Sequence, residues 1–201
     1  MAQCQPDVVP AVHQARPGEL VHREGRLDPG GRRVERTGFG AGLFSEWRDD
    51  RDFVLNRQEF QGASILVAGP NFGTGSSREH AVWALADYGF EAVVSPRFGD
   101  IFRNNATKQG LLPVQVDVEL GRRLLQAVTD DPGLEVTIDV ARCTIEAPGA
   151  GLSGTFALDD FTRERLLNGW DDIGLTLRHE QDIERYEGQR PSWLPAAAAN
   201  D

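Results

Sequence analysis

From residue 65 onward the apolar positions alternate between short runs and helical spacing. Ile65–Ala68 is a continuous apolar run rich in branched residues, which predicts a buried strand. Val82, Leu85 and Ala86, with Ala81 and Tyr88 beside them, then mark one face of a helix that ends near Gly89. Ala92–Ser95 is a second run, followed by Pro96. Strand, helix and strand within roughly thirty residues predict a parallel βαβ unit with a right-handed crossover. Asp100–Lys108 reads as a short helix closed by Gly110. Val114–Val118 alternates as a strand, and Glu119–Val128 fits an amphipathic helix with Leu120, Leu124, Leu125 and Val128 inward.

Leu134–Val140 and Cys143–Glu146 alternate as a hairpin, with Cys143 expected to pack as a small buried hydrophobe. Gly154–Leu158 reads as a further strand. Asp159 or Asp160 caps a helix carrying Phe161, Leu166 and Leu167, and Asn168-Gly169 ends it. Asp171–Leu177 starts another helix, and His179–Tyr186 is charged enough to be a solvated helix face. The pattern as a whole predicts an α/β fold.

The ends are less patterned. Residues 1–35 hold Pro6, Pro10, Pro17, Pro29 and Gly30-Gly31, and read as a loosely ordered N-terminal arm. His13 and His22 within it match no metal-binding spacing and read as surface residues. Residues 36–60 space Leu43, Phe44, Trp47, Phe53, Val54 and Leu55 among glycines and charges, as a loop with short helical turns does. The expected organisation is therefore an arm over 1–35, one domain over 36–190, and a frayed tail over 191–201.

Composition narrows the function. A net charge of −10 in 201 residues argues against nucleic acid as the main partner. No apolar stretch has the length of a membrane span and no signal peptide is evident, so a cytoplasmic protein is expected. Two cysteines, Cys4 and Cys143, make neither a disulfide framework nor a set of thiolates sufficient for a four-iron cluster.

The chemistry concentrates after the first strand. Gly69, Pro70, Asn71, Gly73 and Gly75 form a loop, and Ser76, Ser77, Arg78, Glu79 and His80 open the helix. Ser76 or Ser77 can serve as N-cap, with Glu79 three residues after Ser76 as in a capping box. Free N–H groups and the helix dipole favour an anion at such a turn, and the glycines let it approach the backbone. Arg78 adds a planar fork suited to a carboxylate or phosphate. One serine hydroxyl could also lose its proton, given stabilising donors in a site closed to water. The bland alternative is a capped helix start with no ligand. The loop is not a Walker loop, since no Gly-Lys-Ser/Thr follows, and it lacks the third glycine of a dinucleotide fingerprint. Asn104, Asn105 and Lys108 fit either helix solvation or a supporting role near this site.

Six pieces carry a resemblance: Arg36-Thr-Gly-Phe39, Gly75-Ser-Ser-Arg-Glu-His80, Asp87-Tyr-Gly-Phe90, Asp100-Ile-Phe-Arg-Asn-Asn105, Gly110-Leu-Leu-Pro113 and Gly169-Trp-Asp-Asp-Ile-Gly-Leu-Thr-Leu177. In order and spacing, from about residue 33 to 195, the chain resembles the small subunits of 3-isopropylmalate dehydratase in the aconitase superfamily. The resemblance implies a swivelling β/β/α domain of the aconitase fourth-domain type, active only with a separate large subunit. That partner would hold the 4Fe–4S cluster, with none in this chain. The pair would interconvert 2- and 3-isopropylmalate, a small dicarboxylate pair, by dehydration and rehydration in leucine biosynthesis. Ser76 matches the family's proton-abstracting serine, Ser77 a hydroxyl on the substrate carboxylate, and Arg78 and Arg36 two carboxylate-binding arginines. Apolar Phe39, Leu43 and Phe44 are expected to line part of the pocket for the branched alkyl group.

The chain departs from the family ahead of Arg36. Only Asp7-Val-Val-Pro-Ala-Val12 echoes the usual first strand and its acidic residue, so these are expected to be missing or displaced. Two further readings stay open. One is the small subunit of a related citraconate/methylmalate or homoaconitate hydratase. The other is an inactive anion-binding module that kept the loop after losing its first strand.

Overall fold

The computed structural model describes residues 8–13, 38–75, 79–170 and 172–190. The chain divides into two compact units, Met1–Gly169 and Trp170–Asp201. The first is built on a seven-stranded sheet in the order β4-β3-β2-β1-β5-β6-β7. Its strands are β1 (Val8–His13), β2 (Ile65–Ala68), β3 (Ala92–Ser95), β4 (Leu112–Gln115), β5 (Glu135–Asp139), β6 (Thr144–Ala147) and β7 (Leu152–Thr155). The helices of this unit are α1 (Ser45–Arg48), α2 (His80–Tyr88), α3 (Asp100–Gln109), α4 (Val118–Asp130) and α5 (Asp160–Leu167).

β2, β3 and β4 pair in parallel, with α2 and α3 as the crossovers, so the predicted βαβ unit is present. β5, β6 and β7 form an antiparallel meander. The strands of the parallel half read as unbroken apolar runs because both faces are covered. Ile65 and Val67 pack on one side with Val94, Val114, Leu124 and Val128. Leu66 and Ala68 point to the other, against Val82, Leu85, Val93, Phe102 and Ala106. Leu66, Val67, Val93 and Val94 are all fully buried.

The N-terminal expectation needs correction. Within the arm expected over 1–35, residues Val8–His13 form a strand at the centre of the sheet. β1 pairs antiparallel with β2 over Val8–Ala11 and parallel with β5 over Val12 and His13. A proline normally argues against a central strand, because it cannot donate to the ladder. Pro10 fits because it lies where β1 pairs with β2, before the pairing with β5 begins. The first strand is thus neither missing nor displaced from the sheet, and the reading of a module that had lost it falls. The rest of the arm, including Cys4, His22 and the glycine pair, lies outside the described residues.

Three boundaries also move. β4 starts at Leu112 and includes Pro113, which this end strand of the sheet accommodates. The strand expected to reach Val118 stops early because Asp117 caps α4, accepting from the N–H groups of Glu119 and Leu120 at 2.8 and 3.4 Å. β7 lies at Leu152–Thr155 rather than Gly154–Leu158. There Leu120 of α4 lies 2.4 Å from where a Cβ on Gly154 would stand. Cys143 is half-buried in the turn between β5 and β6 at φ 54°, packed against the edge of the core with its Sγ donating to the Val140 carbonyl at 3.5 Å.

Residues 38–60 form the expected chain of short turns. Leu43, Phe53, Leu55 and Phe60 are buried, and Phe44, Trp47 and Phe53 pack ring on ring. The second unit holds α6 (Asp172–Leu177) and α7 (Glu180–Gly188). Arg178 lies over the Trp170 ring at 4.1 Å, and Arg185 bonds Asp182 at 2.9 Å. The charged run predicted at its end is an exposed helix, as expected. The tail 191–201 lies outside the described residues.

Candidate active site

The four residues assigned from sequence, Ser76, Ser77, Arg78 and Arg36, lie outside the described residues. What the structure describes is the frame on either side of them. The loop Gly69–Gly75 leaves the carboxyl end of β2, the edge at which open α/β sheets bind ligands. Its base is tied to the neighbouring strand. The Ser95 hydroxyl is fully buried and lies 2.8 Å from the carbonyl oxygens of both Gly69 and Arg97, sharing its one proton between them. The Phe72 N–H donates to Arg97 O at 3.0 Å, and the Gly99 N–H donates to Phe72 O at 2.9 Å. The loop therefore runs beside Phe98 as an extra parallel bridge beyond β3.

Side chains lock this arrangement. Phe72 meets Phe98 and Phe102 edge to face at 6.4 and 5.2 Å, and Phe98 stacks on Phe102 at 5.9 Å. Gly73 turns the chain at φ +75°, and a Cβ there would stand 2.4 Å from Phe102 Cγ. Asn71 also sits in the left-handed region, at φ 65°. Thr74 and Gly75, the last residues before Ser76, thus emerge from a turn that has one way to pack.

On the far side α2 begins at His80, with Glu79 in the N-cap position and no side-chain cap bond. The capping box expected from Ser76 or Ser77 lies outside the described residues, within which the helix starts at His80. The Glu79 carbonyl accepts from the N–H groups of Val82 and Trp83, at 2.9 and 3.0 Å. A helix start of this kind carries the positive end of the helix dipole, the feature that suits an anion.

The segment after Arg36 lies along the same helix. Asp87 Oδ2 accepts from the N–H groups of Gly38 and Gly40, at 2.9 and 2.8 Å. The Phe39 ring stacks on His80 at 5.5 Å and meets Trp83 edge-on at the same distance. Gly40 is required here, since a Cβ would stand 2.9 Å from the Tyr88 nitrogen. Of the three residues expected to line an alkyl pocket, Leu43 and Phe44 pack instead with the core below the turns, and Phe39 alone stands against α2's first residue. Asn104, Asn105 and Lys108 lie on α3, Asn105 half-buried and the other two exposed.

Sequence reasoning missed Ser95 and Asp87 as anchors. Asp87 had a signal, as the first residue of the Asp-Tyr-Gly-Phe90 piece, but that piece does not state its partner. A cleft of about 500 Å³ opens at the other end of α2, lined by Arg48, Leu55, Asn56, Gln61, Tyr88 and Gly89 among others, and no loop residue lines it. Among the described residues no group of His, Cys, Asp and Glu is arranged to hold a metal ion, and no helix is long and apolar enough to cross a membrane.

Comparison with known proteins accounts for both units. The aconitase C-terminal domain model matches residues 32–119, which hold Arg36, Ser76–Arg78 and the strands β2 to β4. The model of the C-terminal domain of the 3-isopropylmalate dehydratase small subunit matches residues 172–198. The chain is 63% identical over 166 residues to the 3-isopropylmalate dehydratase small subunit of Frankia alni, covering 83% of this chain and 84% of that one. It is 60% identical to the protein of the same name from Rubrobacter xylanophilus, over 82% and 83% of the two chains. A crystal structure of 3-isopropylmalate dehydratase from Methanocaldococcus jannaschii overlaps 68% of this chain and 74% of its own, at 26% identity and a TM-score of 0.48. With identity this high over most of both chains, this protein belongs to the 3-isopropylmalate dehydratase small-subunit family.

Proposed function

We propose that this chain is the small subunit of 3-isopropylmalate dehydratase, acting in the cytoplasm in leucine biosynthesis. As a heterodimer with a large subunit it interconverts 2- and 3-isopropylmalate by loss and return of water. The observation that carries the reading is the 60–64% identity to proteins of that name over more than four fifths of both chains. The 4Fe–4S cluster belongs to the large subunit. Cys143 sits at a β-turn, hydrogen-bonded to a backbone carbonyl, and one further cysteine leaves too few thiolates for such a cluster.

Within this chain Ser76 removes the substrate proton, while Ser77, Arg78 and Arg36 hold the carboxylates. The fixed turn through Gly73 supports this reading, because a base must be held close to its proton before it is useful. So does the start of α2, where helix N–H groups favour an anion. The test mixes the chain with cluster-loaded large subunit and follows 2-isopropylmalate turnover. The chain alone should be inactive and the pair active, with kcat for Ser76→Ala lower by about 10²- to 10⁴-fold. Near-normal kcat in a folded, assembled Ser76→Ala pair would remove Ser76 from the role of base. Faster turnover of citraconate or homoaconitate than of 2-isopropylmalate would overturn the substrate assignment.

A further inference from the structure

Among the described residues of the first unit, three large apolar side chains stand mostly in solvent: Ile101 is 53% exposed, Val118 67% and Phe161 61%. Exposed apolar residues are ordinary when scattered singly, but Ile101 and Val118 share one edge of the sheet. Ile101 is in the first turn of α3, which follows β3, and Val118 opens α4, which follows β4. β2, β3 and β4 are parallel, so both helix starts stand at the carboxyl edge from which the Gly69–Gly75 loop leaves. They flank that edge from opposite faces: α3 packs through Phe102 and Ala106 into one core layer, α4 through Leu124 and Val128 into the other.

The loop is held against the same edge. A Cβ on Gly99, two residues before Ile101, would stand 2.9 Å from the Gly73 oxygen and 3.1 Å from Thr74 Cα. One on Gly121, three residues after Val118, would stand 2.7 Å from Pro96 Cγ. Thr74 and Gly75, which lead into Ser76, are themselves exposed. Neither apolar residue serves its own helix, since a first turn favours acidic side chains and Ile and Val are β-branched.

We propose that this carboxyl edge is the docking face for the large subunit, with Ile101 and Val118 buried in the contact on either side of the Gly69–Gly75 loop. The inference rests on the proposed function and deepens it by naming the surface. A serine acting as base needs a site closed to water, and in this chain the loop end leading to Ser76 is open to solvent. A second chain seated on this edge covers it. The large subunit is the chain that must meet this loop to bring its cluster to the substrate, and a second copy of this chain has too few cysteines to supply one.

The test titrates the full chain against cluster-loaded large subunit, follows the complex by sedimentation velocity, and measures turnover of 2-isopropylmalate. Ile101→Asp and Val118→Asp each place an acid in the first turn of a helix, where the dipole favours it, so urea midpoints should stay at or above the parent's. Each should nonetheless raise the Kd of the complex about tenfold or more, as losing a buried interface anchor does. Lys108→Glu, at the far end of α3, is the control and should leave the Kd unchanged. If aspartate lowers either midpoint, Ile101→Ala and Val118→Ala, which only shorten the side chain, decide by the same comparison of Kd. A tight parent complex whose Kd these variants do not move, or which Lys108→Glu weakens equally, overturns the inference and leaves the functional reading intact. So does a parent chain that dimerises alone through Ile101 and Val118, since the face then belongs to a second copy. No complex and no turnover with the parent chain would instead sink the functional reading, and the docking face with it.

Discussion

Replacing Gly73 by alanine brings together two costs that a second glycine can separate. Gly73 has φ +75°, and its added Cβ would stand 2.4, 2.5 and 2.8 Å from Cγ, Cβ and Cδ2 of Phe102. These are the inner atoms of a ring that is 2% exposed and stacked on Phe98, so they cannot swing away. The left-handed backbone costs a non-glycine residue roughly 1–2 kcal/mol. Forcing a methyl group into a packed site typically costs about 1–3 kcal/mol more. Gly62 supplies the control: its φ is +82°, and nothing lies within 4 Å of its hypothetical Cβ. Urea unfolding followed by circular dichroism should show Gly62→Ala losing about 1–2 kcal/mol and Gly73→Ala about 2–5 kcal/mol. Because the loop or α3 must shift to accept the methyl group, Gly73→Ala should also lower kcat of the assembled enzyme, and Gly62→Ala should not. Equal losses of stability in the two variants would show that Phe102 does not confine the loop.

Two further outcomes follow from the same frame. Ser95→Ala removes the fully buried hydroxyl that the Gly69 and Arg97 carbonyls share, while Arg97 O keeps the Phe72 N–H, and should cost about 0.5–1.5 kcal/mol in the same unfolding assay. Asp159 caps α5 by accepting from the Thr162 N–H at 2.9 Å, and the Thr162 N–H and hydroxyl, with Arg103 nearby, hold its carboxyl below the usual carboxylate range. A lowered folded-state pKa means this stabilisation is fully present above the unfolded value, about 3.9, and is lost as pH falls through the folded value. Asp159→Ala should therefore cost about 0.5–2 kcal/mol at pH 7, and the gap between parent and variant in urea melts should narrow as pH is lowered below the unfolded value.

Elements buried on both faces were the most legible. Ile65–Ala68 and Ala92–Ser95 match β2 and β3 to the residue, because continuous apolar runs leave little choice of period. α3 ended as read because Gly110 supplies the left-handed cap at φ +81°. Val114–Val118 misled because its alternation continues through Asp117, whose cap to Glu119 and Leu120 outweighs the pattern. β1 was hidden by Pro10, which is permitted by how the strand divides its pairing and not by anything local. The chemistry of the loop was legible as residue types, but its anchors were not. Ser95 reaches Gly69 across 26 positions and Asp87 reaches Gly38 across 49, and neither separation has a period to read.

The place of Val8–His13 also governs how this fold can close. In the sheet this strand is the seam between the parallel half and the meander: Ala68 and Ile65 bound its pairing on one side, Glu135 and Val136 on the other. It is synthesised long before either neighbour exists, so its ladder waits for contacts distant in sequence. Such contacts close slowly, because loop entropy is lost before they form. The two halves can each zip by short-range steps and then depend on an early segment to be stitched into one sheet. Deletions within Val8–His13 should accordingly be felt on both sides of the sheet.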